Sequence, residues 1–244
     1  SASMLTLLKK IECLHSMQEY DLKICGITKS NWICFDMKLV VISDTHNMHD
    51  HKNIPDGDVL IHAGDITGRG QLSMLEDFMV WMDFLPHKHK IVIAGNHDFC
   101  FQNNNDIKAR WLVNKYATYL EDSSVVIDGI KFYGAPWQPE FNNWAFNLPR
   151  GEALREKWAL IEDDTNVLIT HGPPQGILDW CPGGSVGCTE LLQRTTELKH
   201  LKYHFFGHIH EGYGVEKHGD LTYANASICN RSYKPFNEPL EFEI

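Results

Sequence analysis

The sequence predicts an α/β protein. Short runs of Val, Ile, Leu and Phe recur along it, stretches with helical spacing separate several of them, and residues able to hold a metal gather where the runs end. Runs of this length and composition fit strands buried on both faces, which have no solvent side to mark with polar residues. Strands that alternate with helices build a largely parallel sheet with helices packed on it.

Residues 4–18 place Leu5, Leu8, Ile11 and Leu14 at near-helical spacing, and residues 20–36 read as a strand and connector. Residues 1–36 are therefore expected to form an extension packed on the body, with the domain proper at 37–244. Met37 opens the first apolar run, KLVVISD (38–44), and DVLIHAGD (58–65), KIVIAGN (90–96), IKFYGAP (130–136), NVLIT (166–170) and YHFFG (203–207) follow. Helical patterns lie over 71–85, 106–120, 150–162 and 188–200. The final third differs. YGVEKHGDLTYANAS is hairpin-like about Gly219 and PLEFEI reads as a terminal strand, so antiparallel pairing is expected near the end.

At 244 residues the chain is long enough for one large domain with a sizeable core. Apolar residues make up 43% and charged residues 22%, an ordinary globular balance. A net charge of −10 argues against a partner held by the phosphates of a nucleic acid polymer. A small anionic substrate remains open if bound cations reverse the local field. Seven cysteines without paired spacing argue against a disulfide framework and read as small buried hydrophobes. No apolar stretch reaches the roughly 18 residues that span a bilayer, and the first residues are too polar for a signal peptide. The expectation is a reducing, cytoplasmic protein with no membrane partner.

The ends of the runs carry the chemistry. The first ends in Asp44 and His46, two positions apart and so on one face of a strand tip. The second ends in Gly64 and Asp65, the third in GNHD (Gly95 to Asp98), the fifth in His171, and YHFF in His208 and His210. An isolated His-x-His pair reads equally as two hydrogen-bonded turn residues. Five polar clusters at the same end of their strands do not, because ligands collect where parallel strands present their carboxyl ends. Carboxylate and imidazole without thiolate suit hard or borderline divalent ions. Asp44, His46, Asp65, Asn96, His171, His208 and His210 are too many for one four-coordinate ion and suit two that share a carboxylate. His62 reads as a hydrogen-bonded core residue, whereas His49, His51, His87, His89 and His218 read as solvated.

The series DTH, GD, GNHD, His171 and GHIH, in that order, resembles the calcineurin-like metallophosphoesterases. Within that superfamily GAPWQPEFNNWAFNLPRG, HGPPQGILDW, VGC, HEGYG and YANAS are similar to the metallophosphoesterase-domain-containing type of vertebrate brain, over most of 37–244. The resemblance implies a four-layer αββα sandwich, two mixed sheets flanked by helices. It implies that Asp44, His46 and His210 hold one ion, that Asn96, His171 and His208 hold a second, and that Asp65 bridges them. Mn²⁺ is the first candidate, with Fe, Zn²⁺, Co²⁺ or Mg²⁺ as alternatives. Some vertebrate members carry glycine for the first histidine of the last motif; His208 here implies both ions.

The same resemblance makes His97 the residue that steadies the transition state or protonates the leaving oxygen. Asp98 beside it is expected to orient the imidazole, with a plain turn role as the alternative. The segment PWQPEFNNWAFNLPR (136–150) is the expected specificity element, offering Trp137 and Trp144 to a base and Arg150 to a phosphate. Each ring could instead plug the loop into the core, and Arg150 could merely open the next helix. The implied activity is metal-dependent hydrolysis of small nucleotide phosphodiesters, 2′,3′-cyclic before 3′,5′-cyclic. The alternatives are a phosphomonoesterase or protein phosphatase on the same core, or a nucleotide-binding scaffold without catalysis. The sequence leaves the oligomeric state open.

Overall fold

In the computed structural model, residues 37–244 are described; the expectations for residues 1–36 lie outside them. The first half runs β1 (Lys38–Ile42), β2 (Val59–Ala63), α1 (Leu72–Asp83), β3 (His89–Ile93), α2 (Asp106–Asn114), β4 (Thr118–Tyr119), β5 (Ser123–Ile127) and β6 (Ile130–Ala135). A small ribbon follows, β7 (Gln138–Pro139) with β8 (Asn147–Leu148), then α3 (Glu152–Trp158) and β9 (Val167–Thr170). The rest is β10 (Trp180–Cys181), β11 (Gly184–Ser185), α4 (Thr189–Glu197), β12 (Tyr203–Phe206), β13 (Gly214–His218), β14 (Leu221–Asn225) and β15 (Leu240–Glu243).

Two mixed sheets result. One has five strands in the order β15-β1-β2-β3-β4, and the other has six in the order β13-β14-β12-β9-β6-β5. Strands β1 to β4 are mutually parallel and β15 closes β1 antiparallel. In the second sheet β6, β9, β12 and β14 are parallel, with β5 and β13 antiparallel at the two edges.

Side-chain alternation explains why the strands read as unbroken apolar runs. Leu39, Val41, Ile61, Ile91 and Ile93 point between the sheets to meet Phe132, Val167, Ile169 and Phe205. The intervening Val40, Ile42, Leu60 and Val92 face the outer layer, where Leu75, Phe78 and Met82 of α1 and Ala109 and Val113 of α2 cover them. On the far side Tyr133 and Leu168 pack against Leu154 and Trp158 of α3 and Leu191 of α4. Helix, sheet, sheet and helix make the four-layer sandwich that the motif resemblance implied.

Two departures have local causes. The helical pattern over 106–120 stops at Asn114, whose side chain accepts the Tyr119 N–H at 3.1 Å. Thr118 and Tyr119 then pair with Ile91 and Val92, so the sheet edge recruits the β-branched and aromatic residues that helix spacing had claimed. The hairpin β5–β6 was not expected, although its Asp128-Gly129 turn was visible in the sequence. Both residues are left-handed (φ 47° and 88°), as a two-residue hairpin loop requires.

Two histidines expected in solvent are buried. His49 packs on Phe78 and Trp81 with its Nε2 3.5 Å from Asp77, and burial pushes the pKa of His87 down. His49 lies against two rings of α1, a contact that sequence polarity does not reveal. His51 and His218 are exposed as expected, and His89 is partly buried. Cys100, Cys188 and Cys229 are buried and Cys181 partly so. Among the described residues no helix is long and apolar enough to cross a membrane.

Phe205 is fully buried between the sheets. Phe205→Ala is expected to cost about 3–5 kcal/mol, read as a lowered midpoint in denaturant unfolding at an unchanged slope.

Candidate active site

The turns that leave β1, β2 and β12 pass repeatedly through the left-handed region, using the non-glycine residue types that tolerate it best. Asp44 (φ 52°), His46 (43°), Asn47 (67°), Asp65 (56°) and His208 (66°) are all left-handed and none is glycine. Each such backbone costs about 1–2 kcal/mol. Strain of this kind persists where surroundings over-determine it, and it collects at functional sites. Backbone bonds supply the constraint here, from Asp44 N–H to Gly64 O at 2.9 Å, His46 N–H to Asp65 O at 3.0 Å and Gly207 N–H to His171 O at 3.0 Å. The second sheet is tied to the first by Asp44, whose Oδ2 accepts the His208 N–H and the Ser227 hydroxyl, each at 2.9 Å. Gly207 permits that approach, since a Cβ there would land on the Asp44 carboxylate.

The structure brings Asp44, His46, Asp65, Asn96, His97, His171, His208 and His210 to one place. Their donor atoms fall into three groups, Asp44/His46/His210, Asp65/His171/His208 and His46/Asp65/His97, with the atoms of each group within 4.8 Å of one another. Asn96 Oδ1 lies 2.9 Å from His171 Nε2. Backbone carbonyls settle which imidazole nitrogens carry hydrogen. His171 Nδ1 is 2.9 Å from Ala63 O, His210 Nδ1 is 2.9 Å from Asn230 O and His97 Nδ1 is 2.8 Å from Gly68 O. A carbonyl only accepts, so Nδ1 is the donor in each and the Nε2 lone pairs face inward.

Inward they meet more acceptors. His210 Nε2 is 3.3 Å from Asp44 Oδ1, and His171 Nε2 is 3.4 Å from Asp65 Oδ1. Lone pairs converging on carboxylates repel unless something positive lies among them, either a proton or a cation. In the bare protein the proton takes that part. Burial opposes charge on His171, yet Asp65 carries its pKa up to about 9. Burial would likewise raise Asp44, but the bond and charge of His210 hold it well below the usual carboxylate range. His46 and His208 are pressed by burial to about 4 and about 3, and so stay neutral, the form that binds metal. Imidazole, carboxylate and amide oxygen without thiolate fit divalent cations.

His62 is no part of this set. It is buried, with Nε2 3.0 Å from the Thr45 hydroxyl and Nδ1 accepting the Gly64 N–H, the core role expected of it. Asp98 differs from the orienting role expected for it. Its carboxylate accepts the N–H groups of Ile66, Thr67 and Gly95 and the Thr67 hydroxyl. It clasps the turn after β2 to the turn after β3 while the Gly68 carbonyl orients His97. The reason is direction: the short 3₁₀ turn that starts at Phe99 aims Asp98 into the protein and His97 into the cavity.

The cavity above the cluster has a volume of about 460 Å³. Trp144 lines it, but its ring is stacked on His97 (centroids 4.2 Å apart, 23° between planes) with the Arg69 guanidinium 5.4 Å from its centroid. Arg150 also lines the cavity, and its Nη1 and Nη2 donate to the carbonyls of Gly187 and Val186, 2.7 Å each, bracing the opposite wall. Trp137 is turned away. Its indole N–H donates to Asp122 at 2.8 Å and the Lys157 ammonium sits 4.1 Å from its ring, so a polar pair outside the cavity holds it. Sequence reading passed over Tyr233, whose ring lies 4.9 Å from that of His46; CNRSYKPF has no periodicity or motif to flag it.

The profile of the calcineurin-like phosphoesterases matches residues 37–212, which is most of the chain. The chain belongs to that family. It is 44% identical over 230 residues to metallophosphoesterase domain-containing protein 1 of Homo sapiens, covering 85% of this chain and 71% of that protein. A UPF0046 protein of Caenorhabditis elegans is 40% identical over 220 residues, covering 85% of this chain and 75% of its own length. In fold alone the chain is similar to the crystal structure of TT1561 of Thermus thermophilus. There the TM-score is 0.55 at 12% identity, over 85% of this chain and 99% of that one. As a member of the family this protein is a phosphoesterase.

Asp98→Ala would leave buried N–H groups of Ile66, Thr67 and Gly95 without their acceptor. It is expected to lower the unfolding free energy of the metal-free protein by about 3–5 kcal/mol, measured in denaturant.

Proposed function

We propose that the protein is a metal-dependent phosphodiesterase of small nucleotides, acting in the cytoplasm on 2′,3′-cyclic nucleotides and more weakly on 3′,5′-cyclic ones. The observation that carries the reading is the gathering of imidazole and carboxylate ligand atoms around Asp44 and Asp65 at the foot of a cavity of about 460 Å³. A cavity of that size suits a mononucleotide rather than a protein surface. In this reading Asp44, His46 and His210 hold one divalent ion, Asn96, His171 and His208 hold another, and Asp65 is shared. Mn²⁺ is the first choice. Bound there, two dications would acidify a water and neutralise charge on the phosphate.

The protein's own residues supply the rest. The Gly68 carbonyl keeps the hydrogen of His97 on Nδ1, so Nε2 is the atom that gains a proton and passes it to the leaving ribose oxygen. Trp144, stacked on that imidazole, limits its rotation. Its occupied face argues for positioning His97 over stacking a base. Arg150 acts through the 186–187 wall that it braces.

The test is a screen of manganese-loaded protein against cyclic nucleotides, with bis(p-nitrophenyl) phosphate and its mono-ester beside them. Turnover of diesters and its loss on chelation are expected. Turnover of the mono-ester alone would replace the reading with a phosphomonoesterase, and nucleotide binding without turnover under any metal would replace it with a scaffold.

Two variants dissect the site. Asp65→Ala is expected to lower metal content by elemental analysis and to remove detectable turnover; a near-normal rate would end the shared-carboxylate assignment. His97→Ala is expected to cut kcat by roughly 10²–10⁴ while metal content stays close to normal. Loss of a metal in that variant would show that His97 is a ligand.

A further inference from the structure

The family match ends at residue 212, yet part of the cavity wall comes from beyond it. Residues 230–234 form a tight turn built on Asn230. Its N–H donates to Lys234 O at 2.9 Å and its carbonyl accepts the Tyr233 N–H at 2.8 Å. Its side-chain Oδ1 accepts the N–H groups of Ser232 (2.9 Å) and Lys234 (3.2 Å). The same backbone carbonyl takes the Nδ1 hydrogen of His210 at 2.9 Å. One residue therefore sets both the imidazole and the turn.

That turn forces Tyr233 into the left-handed region (φ 54°), a conformation costing a residue with a Cβ about 1–2 kcal/mol. The ring it aims lies 4.9 Å from His46, 5.3 Å from His210 and 6.0 Å from His97, centroid to centroid. Tyr233 is 51% exposed and lines the cavity. Core packing does not explain it, because half of its surface remains in solvent. Backbone strain at a residue whose side chain faces a site points to use of that side chain.

We propose that Tyr233 is a specificity-determining residue whose ring roofs the reaction centre on the side of His46 and His210. It contacts the phosphodiester substrate there and confines the site to small, compact diesters. Asn230 is the positioning residue that holds the ring and His210 from a single carbonyl. The proposal rests on the phosphodiesterase reading above. A rigid ring with few rotamers gives shape selection at little entropic cost, and its contact needs no hydroxyl.

Tyr233→Gly tests it, since glycine adopts this backbone without strain. The thermal midpoint of the metal-free variant is expected to equal or exceed that of the wild type. Manganese-loaded protein is expected to bind adenosine 3′-monophosphate about tenfold more weakly by calorimetry, a loss of about 1.4 kcal/mol. The ratio of kcat/KM for 2′,3′-cyclic AMP to that for adenylyl-(3′→5′)-adenosine is expected to fall by about tenfold, mostly through KM. Tyr233→Phe, which keeps the ring, is expected to stay within about twofold of the wild type throughout.

Wild-type affinity and substrate ratio in Tyr233→Gly would overturn the proposal. So would a loss that appears only with a lowered thermal midpoint, or an equal loss in Tyr233→Phe. If the wild type hydrolyses no phosphoester, the function proposed above fails by itself, and the affinity difference still decides whether the ring contacts a nucleotide.

Discussion

Asp65 follows β2 with 2% of its surface exposed, and the geometry of the site is organised around its carboxylate. Oδ1 accepts the His97 N–H at 2.7 Å and lies 3.4 Å from His171 Nε2, while Oδ2 lies 3.7 Å from His46 Nε2. A buried carboxylate left to itself costs several kcal/mol, so the fold must bring compensating groups to it from every side. The His97 N–H and the charged His171 compensate it in the metal-free protein, the neutral His46 and His208 complete the ring of ligand atoms, and the four residues come from four connections. His46 follows β1 and His97 follows β3 in one sheet, whereas His171 follows β9 and His208 follows β12 in the other. No single strand could satisfy Asp65, and the offset between the two sheets therefore matters as much as the residues themselves.

The inter-sheet core sets that offset. Phe205 and Ile169 of the second sheet interlock with Ile61 and Ile93 of the first, and their strands end at the same edge. Buried acceptors lock the loops above this edge. Asp44 takes the His208 N–H across the sheet boundary, and Asp98 takes the N–H groups of two neighbouring turns. Burial and the nearby Asp65 charge push Asp98 up to about 6, against the donors that surround it. The energy spent on left-handed backbone and buried carboxylates is offset by hydrophobic layers that carry no chemistry.

Much of this was legible beforehand because the relevant signals are local. Asp44 and His46 share a face through the two-residue period of a strand, and the strands announced themselves by being apolar at every position. The turn at Asp128-Gly129 is equally local, but the antiparallel pair it joins is short and sits inside a pattern dominated by alternating strands and helices. The burial of His49 and His87 had no local signal. A histidine covered by neighbours distant in the chain reads the same as one in water.

The aromatic segment 136–150 shows the same limit most clearly. Trp137 and Trp144 lie in one stretch of similar composition, yet one ring is held by Asp122 and Lys157 outside the cavity and the other is stacked on His97 within it. By itself the sequence determined the strand and helix alternation, the chemical kind of the donor set and the edge at which it gathers. Only the tertiary structure decided which ring faces the cavity, that Asp98 clasps turns instead of orienting His97, and that Tyr233 from a motif-free turn stands over the cluster. The first group follows from periodicity and residue type along a few positions. The second depends on contacts between segments far apart in the chain, which exist only once two sheets have packed at a particular offset.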